Sequence, residues 1–99
     1  MILILSLIAC GSADYSGGDA TAGAEVYASS CESCHGADGM LGVEVNGVAA
    51  ADLTFETNDL SDDGIADAIL NGVGEMPAQA LDDTQTADCI AYMRATFGS

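Results

Sequence analysis

Apolar and polar positions follow a helical period in three separate stretches of the chain, with glycine-rich segments between them. In the first stretch Gly23, Val26, Tyr27 and Ser30 fall at i, i+3, i+4 and i+7, forming one face of a helix that Asp19 is placed to start. In the second, Ser61 precedes Asp62 and Asp63, so a hydroxyl can cap the helix while two acids sit at the positive end of its dipole. Ile65 and Ile69 share its buried face, and Gly72 after Asn71 ends it. The third stretch, from about Asp83 to Thr96, opens with Asp82 and Gln85 in capping-box spacing. It carries Cys89, Ile90, Met93 and Phe97 on one side and Ala87, Ala91, Arg94 and Ala95 on the other. From Gly36 to Asn58 the glycines at 36, 39, 42 and 47 interrupt any regular period, so this segment reads as loop. No alternating strand pattern of useful length and no internal repeat occurs, and the predicted fold class is all-α.

The N-terminal pattern is different. Met1 to Ala9 is an apolar run far shorter than the roughly 20 residues a membrane-spanning helix needs, and it reads as the apolar part of an export signal peptide. Leu7-Ile8-Ala9-Cys10 resembles a bacterial lipobox, which implies that Cys10 is lipidated and becomes the mature N-terminus. The run lacks a preceding Lys or Arg, a departure from the usual signal. The alternative is a plain secretory signal in which Cys10 is incidental. Residues 10–18, rich in Gly and Ser, read as a flexible linker beneath the anchor, with the domain proper over 19–99.

Composition narrows the partners. Sixteen acidic groups against one basic side chain, Arg94, give a formal charge of -15, which disfavours nucleic acid and anionic lipid headgroups. Apolar residues make up 49% of the 99 residues, too many for a disordered acidic tail. A single domain of this size buries a modest core, so a cofactor that adds apolar bulk would matter.

Cys31-Glu32-Ser33-Cys34-His35 supplies that cofactor. Two thiols three residues apart can each add to a vinyl group of one porphyrin, and the adjacent His35 then serves as proximal iron ligand. Leu41, Val43, Val48, Leu53 and Phe55 are available to line the haem edge. His35 is the only histidine, so a second imidazole cannot fill the sixth position. Methionine is the substitute: Met1 goes with the signal, Met40 is too near His35, and Met93 sits on a helix packing face. That leaves Met76, whose loop Gly72-Val73-Gly74-Glu75-Met76-Pro77 is shaped by glycine freedom and by the fixed φ of Pro77. The alternative for Met76 is a core filler. Cys89 reads as a buried free thiol, against a zinc set of Cys31, Cys34, His35 and Cys89 or a disulfide.

With these residues in view, the stretch from Asp19 to Phe97 resembles a small single-haem cytochrome c of the class I type. Gly23 and Tyr27 match the family's first-helix glycine and aromatic, Cys31, Cys34 and His35 its haem motif, Met76-Pro77 its distal loop, and Cys89 to Met93 the core segment of its last helix. The resemblance implies about three main helices wrapped around one covalent haem c per chain, with closely crossing terminal helices. It implies a monomeric electron carrier rather than an enzyme, on the periplasmic or cell-surface side of a bacterial membrane. An acidic surface calls for redox partners with basic docking patches. The alternative is a haem subunit or small gas-binding haem enzyme with an open sixth position. The chain departs from the family in lacking the proline whose carbonyl accepts the proximal histidine N–H, so a carbonyl from the Gly42 to Gly47 region is expected instead. Arg94, the only basic side chain, is expected to face away from the haem propionates.

Overall fold

Asp19 starts the first helix as its sequence position suggests: the carboxylate accepts from the amides of Thr21 (2.9 Å) and Ala22 (3.4 Å), and α1 runs Ala20–Ser30. The computed structural model describes residues 14–98 of the chain. Residues 1–9, read as an export signal, and Cys10, read as the lipidation site, lie outside the described residues. One turn of helix, α2 (Glu32–His35), follows directly, then a two-strand hairpin of β1 (Glu44–Val45) and β2 (Val48–Ala49), and three further helices: α3 (Leu53–Asp59), α4 (Asp62–Asn71) and α5 (Asp83–Phe97).

The terminal helices α1 and α5 make the main packing contact, and a glycine permits it. A Cβ at Gly23 would stand 1.9 Å from Asp88 O and 3.0 Å from Tyr92 Cβ, so only hydrogen fits where the helices cross. Around this crossing Tyr27, Tyr92 and Phe97 stack with ring centroids 5.2 to 6.1 Å apart. Cys31, Leu53, Ile65, Ile69, Cys89, Ile90 and Met93 complete the core. The Tyr27 hydroxyl donates to Gly36 O at 2.6 Å, so the deepest phenol is satisfied and also fixes the turn after α2.

The expected helix caps are present at Ser61, whose Oγ accepts from Gly64 N, and at Asp82, which exchanges bonds with Gln85 in a full capping box. Two elements depart from the sequence reading. The segment read as loop contains both the hairpin and α3. The hairpin turn is Asn46-Gly47, with φ of 53° and 81°, the left-handed pair that a two-residue turn of matching twist requires. Asp52 caps α3 through Thr54 N at 2.9 Å.

Within residues 14–18, Tyr15 and Gly18 touch α5. Tyr15 donates to Asp83 Oδ1 at 3.1 Å, the Asp19 amide donates to Asp88 Oδ1 at 2.8 Å, and Gly18 sits so close that a Cβ there would meet Ala87 O at 2.0 Å. This docking buries Ala87, which helical periodicity alone puts on the exposed side.

Candidate haem site

Cys31 ends α1 as its C-cap, with its amide donating to Tyr27 O at 2.9 Å, and the same residue opens α2. The amides of Cys34 and His35 both donate to Cys31 O, at 3.2 and 3.0 Å, so the two thiols and the imidazole occupy one helical turn at i, i+3 and i+4. Cys31 and His35 are buried and Cys34 is half-buried.

The imidazole is oriented by the chain that returns from the hairpin. Ala50 N donates to Val43 O at 2.9 Å, and the next residue presents its carbonyl to the ring: His35 Nδ1 lies 2.9 Å from Ala51 O. A carbonyl only accepts, so Nδ1 donates, and Nε2 is the ring nitrogen available to a metal. The acceptor is therefore Ala51, not a residue of the Gly42 to Gly47 region. The closed hairpin carries that region outward and brings the residues after β2 under His35.

Met76 is held by a tight turn. Val73 N donates to Met76 O at 3.1 Å and Met76 N to Val73 O at 2.9 Å, while Gln79 N donates to Ile69 O at 2.7 Å and moors the loop to α4. Gly72, with φ of 80°, lies where a Cβ would be 2.7 Å from Met76 O, so the loop folds closely over the end of α4. Asn46 Nδ2 donates to Glu75 Oε1 at 2.7 Å, tying the hairpin tip to the same loop.

Between these elements lies a cleft of two lobes. The hairpin lobe, of about 220 Å³, is bounded by Cys31, Cys34, His35, Val45, Val48, Val73, Met76 and Pro77. The helix lobe, of about 470 Å³, is bounded by Cys31, His35, Leu53, Leu60, Ile65, Ile69, Val73, Met76 and Met93. Cys31, His35 and Met76 border both lobes, and the remaining walls are mostly aliphatic. Two thiols on one turn, an imidazole held through Nδ1, a thioether and apolar walls form a donor set that fits a porphyrin and its iron. Glu75 borders the hairpin lobe and Glu56 and Asp67 the helix lobe, so the cleft carries an acidic rim.

Other candidates fall elsewhere. Met40 is 55% exposed and borders neither lobe, whereas Met93 is 5% exposed and reaches the helix lobe as well as the core. Val48 and Leu53 line the cleft, but Leu41, Val43 and Phe55 are exposed and line neither lobe. Arg94 is committed to the corner between α3 and α4. Its guanidinium donates to Leu60 O (3.0 Å), to Thr57 O and to Asp62 Oδ1 (2.7 Å). Cys89 is fully buried, and the neighbouring Cys31 thiol together with burial pushes its pKa up. Among the described residues, no group of three or more His, Cys, Asp or Glu side chains is placed to hold a metal ion. The Ala51 carbonyl was not legible as a partner, because any residue carries one; the legible signal was Asn46-Gly47, which marks the hairpin that delivers it.

Comparison with curated proteins and with solved structures returns no match. Residues 18–93 match a family described as cytochrome c oxidase, cbb3-type, subunit III. That match spans the cleft, the first crossing helix and the second as far as Met93, and cytochrome c domains of this kind are electron-carrying, typically extracytoplasmic and bind covalently attached haem c. The chain thus belongs to the cytochrome c oxidase, cbb3-type, subunit III family, as a mostly helical cytochrome c domain with covalent haem c.

Proposed function

We propose that this domain passes single electrons through a closed, six-coordinate haem c, attached by thioether bonds to Cys31 and Cys34 and ligated by His35 and Met76. The observation that carries the reading is that Cys31, His35 and Met76 all border both lobes of one cleft. Bound haem supplies the one-electron couple. The chain's own residues hold it and set its surroundings. Ala51 O accepts the His35 Nδ1 proton, which fixes the ring and strengthens Nε2 as a donor. The Val73–Met76 turn and its mooring at Ile69 limit the movement of the thioether, so ligation persists through both oxidation states. Leu53, Leu60, Ile65 and Ile69 line the helix lobe and would shield a bound haem from water. Histidine and methionine ligation raises the reduction potential, and the rim carboxylates Glu56, Asp67 and Glu75 draw it down by favouring the ferric charge.

The setting proposed is an extracytoplasmic electron-transfer chain, with the domain tethered through lipid on Cys10 and docking onto basic surfaces of its redox partners. The acidic excess of the chain supports such docking. The test is to denature the purified protein and look for haem on the polypeptide. It should stay bound to the wild type and separate from a Cys31→Ala/Cys34→Ala variant. Haem that leaves the denatured wild type would overturn covalent attachment. Membrane fractionation of Cys10→Ser checks the tether, and a variant that stays with the membranes would remove it.

A further inference from the structure

Two tight turns of the chain meet beside the hairpin lobe. One is Asn46-Gly47 at the tip of the β1–β2 hairpin, and the other is Gly74-Glu75, enclosed by the paired bonds of Val73 and Met76. Val45 and Val48 flank the first turn, Val73 and Met76 flank the second, and all four border the lobe. A side-chain bond joins the tips, Asn46 Nδ2 donating to Glu75 Oε1 at 2.7 Å. A carboxylate only accepts, so the Asn46 amide is turned with its nitrogen toward the Met76 loop. Among the described elements, each strand of the hairpin packs mainly on the other. The hairpin is anchored at its base, where Val43 N donates to Cys34 O at 3.1 Å, and the Met76 loop at its own base, where Gln79 N donates to Ile69 O at 2.7 Å. Each is a flap fixed at one end, and the Asn46 bond fastens the free ends to each other.

We propose that Asn46 is a positioning residue for the sixth ligand: its bond to Glu75 holds the Met76 loop against the hairpin, which keeps the thioether on the iron and outside ligands off it. The inference rests on the reading of Met76 as that ligand. Glu75 directly precedes Met76, so a restraint on its side chain limits the swing of the backbone that carries the thioether. Both bonded residues are exposed, and water competes for their polar atoms, so the bond adds little to the stability of the whole fold. Its effect falls on the local opening of one loop, which takes far less free energy than unfolding. When the loop opens, the Met76 sulfur leaves the iron and an outside donor can take its place, with no change of oxidation state. By lowering the open fraction, the bond lowers the apparent affinity for that donor in the same proportion. The hairpin tip thereby protects a one-electron site from ligand exchange.

The test uses the haem-loaded full chain in the ferric state, titrated with imidazole at about pH 8.5, where that ligand is neutral. Asn46→Asp and Asn46→Gly both leave a residue that the left-handed turn accepts; the first sets a carboxylate against Glu75 and the second removes the side chain. Glu75→Gln keeps an acceptor for the Asn46 amide. Asn46→Asp/Glu75→Gln restores the bond in the opposite sense, with the new amide donating to the new carboxylate, and it keeps the wild-type net charge. Imidazole should bind Asn46→Asp and Asn46→Gly about fivefold or more tightly than wild type, and Glu75→Gln and the double variant within about twofold of it. The sulfur-to-iron charge-transfer band should be lost at correspondingly lower imidazole in the first two. Recovery in the double variant is a result that neither a general loosening of the fold nor a changed field at the haem produces. An Asn46→Gly affinity equal to that of wild type, or a double variant that binds as tightly as Asn46→Asp, would overturn the proposal. If Asn46→Asp does not fold, Asn46→Gly against wild type decides. Failure of the ligand reading looks different: the wild type itself would then lack the band, and the proposal would fall with it.

Discussion

Gly23→Ala adds one methyl group at the crossing of α1 and α5, and the geometry sets its cost. The new Cβ would lie 1.9 Å from Asp88 O and 2.5 Å from Asp88 C, both backbone atoms of α5 that no rotamer change can move. Ordinary contact begins near 3.4 Å, so the helices must separate by roughly 1 Å or more, enough to forfeit about a quarter to a half of the dispersion between the facing residues. Those residues include the Tyr27, Tyr92 and Phe97 stack. Overpacking of this kind costs about 1–3 kcal/mol, and alanine returns up to about 1 kcal/mol through its helix propensity. With an unyielding backbone partner the upper end applies, for a net loss of about 2 kcal/mol. In a domain of this size that lowers the unfolding midpoint by about 8–16 °C. The assay is thermal unfolding of the haem-loaded protein followed by circular dichroism. Gly17→Ala is the control, because a Cβ there meets nothing within 4 Å. A Gly23→Ala midpoint equal to or above that of wild type would mean that propensity outweighs contact, and would refute the reasoning about the crossing.

Burial, reinforced by nearby groups including Cys31, raises the Tyr27 phenol well above its ordinary value of 10.0, so its neutral form is favoured in the fold. Its contribution is fully present below pH 10 and is lost as pH rises above that, at up to about 1.4 kcal/mol per pH unit, since the unfolded chain ionises first. Tyr27→Phe should lose about 1 kcal/mol at neutral pH with its bond to Gly36 O and show a shallower alkaline decline in denaturant titrations; an unchanged alkaline slope would count against it. Arg94→Lys keeps the charge but not the fork that reaches Asp62, Thr57 and Leu60 together, and should cost about 1–2 kcal/mol by the same titration. Equal stability would show that the fork contributes nothing. Electron transfer to a basic partner should slow as salt is added, because a chain of charge -15 is steered by long-range attraction, and a rate insensitive to ionic strength would remove steering from the account.

The elements legible in the sequence are those whose signals are local. Asp19, Ser61 and Asp82 each cap a helix through bonds that span two to three residues, and Gly72 ends α4 at its own φ. Cys31, Cys34 and His35 share one turn, so their grouping follows from spacing alone. What escaped the reading depends on contacts far apart in sequence. Ala87 is buried because Gly18 and Tyr15 fold back onto α5, and Ala51 meets His35 only because a hairpin of two-residue strands returns the chain. Asn46-Gly47 did carry a turn signal, but strands that short leave no alternation to read beside it.

Among the described residues two methionines border the cleft, Met76 on both lobes and Met93 on one, while Met40 borders neither. The central claim is that Met76 supplies the sixth ligand, and the sulfur-to-iron charge-transfer band of the ferric protein reads it directly in Met40→Leu, Met76→Leu and Met93→Leu variants. With Met76 as the ligand, the band is retained in the Met40 and Met93 variants and absent from Met76→Leu. A band that survives in Met76→Leu, or disappears only in Met93→Leu, would contradict it.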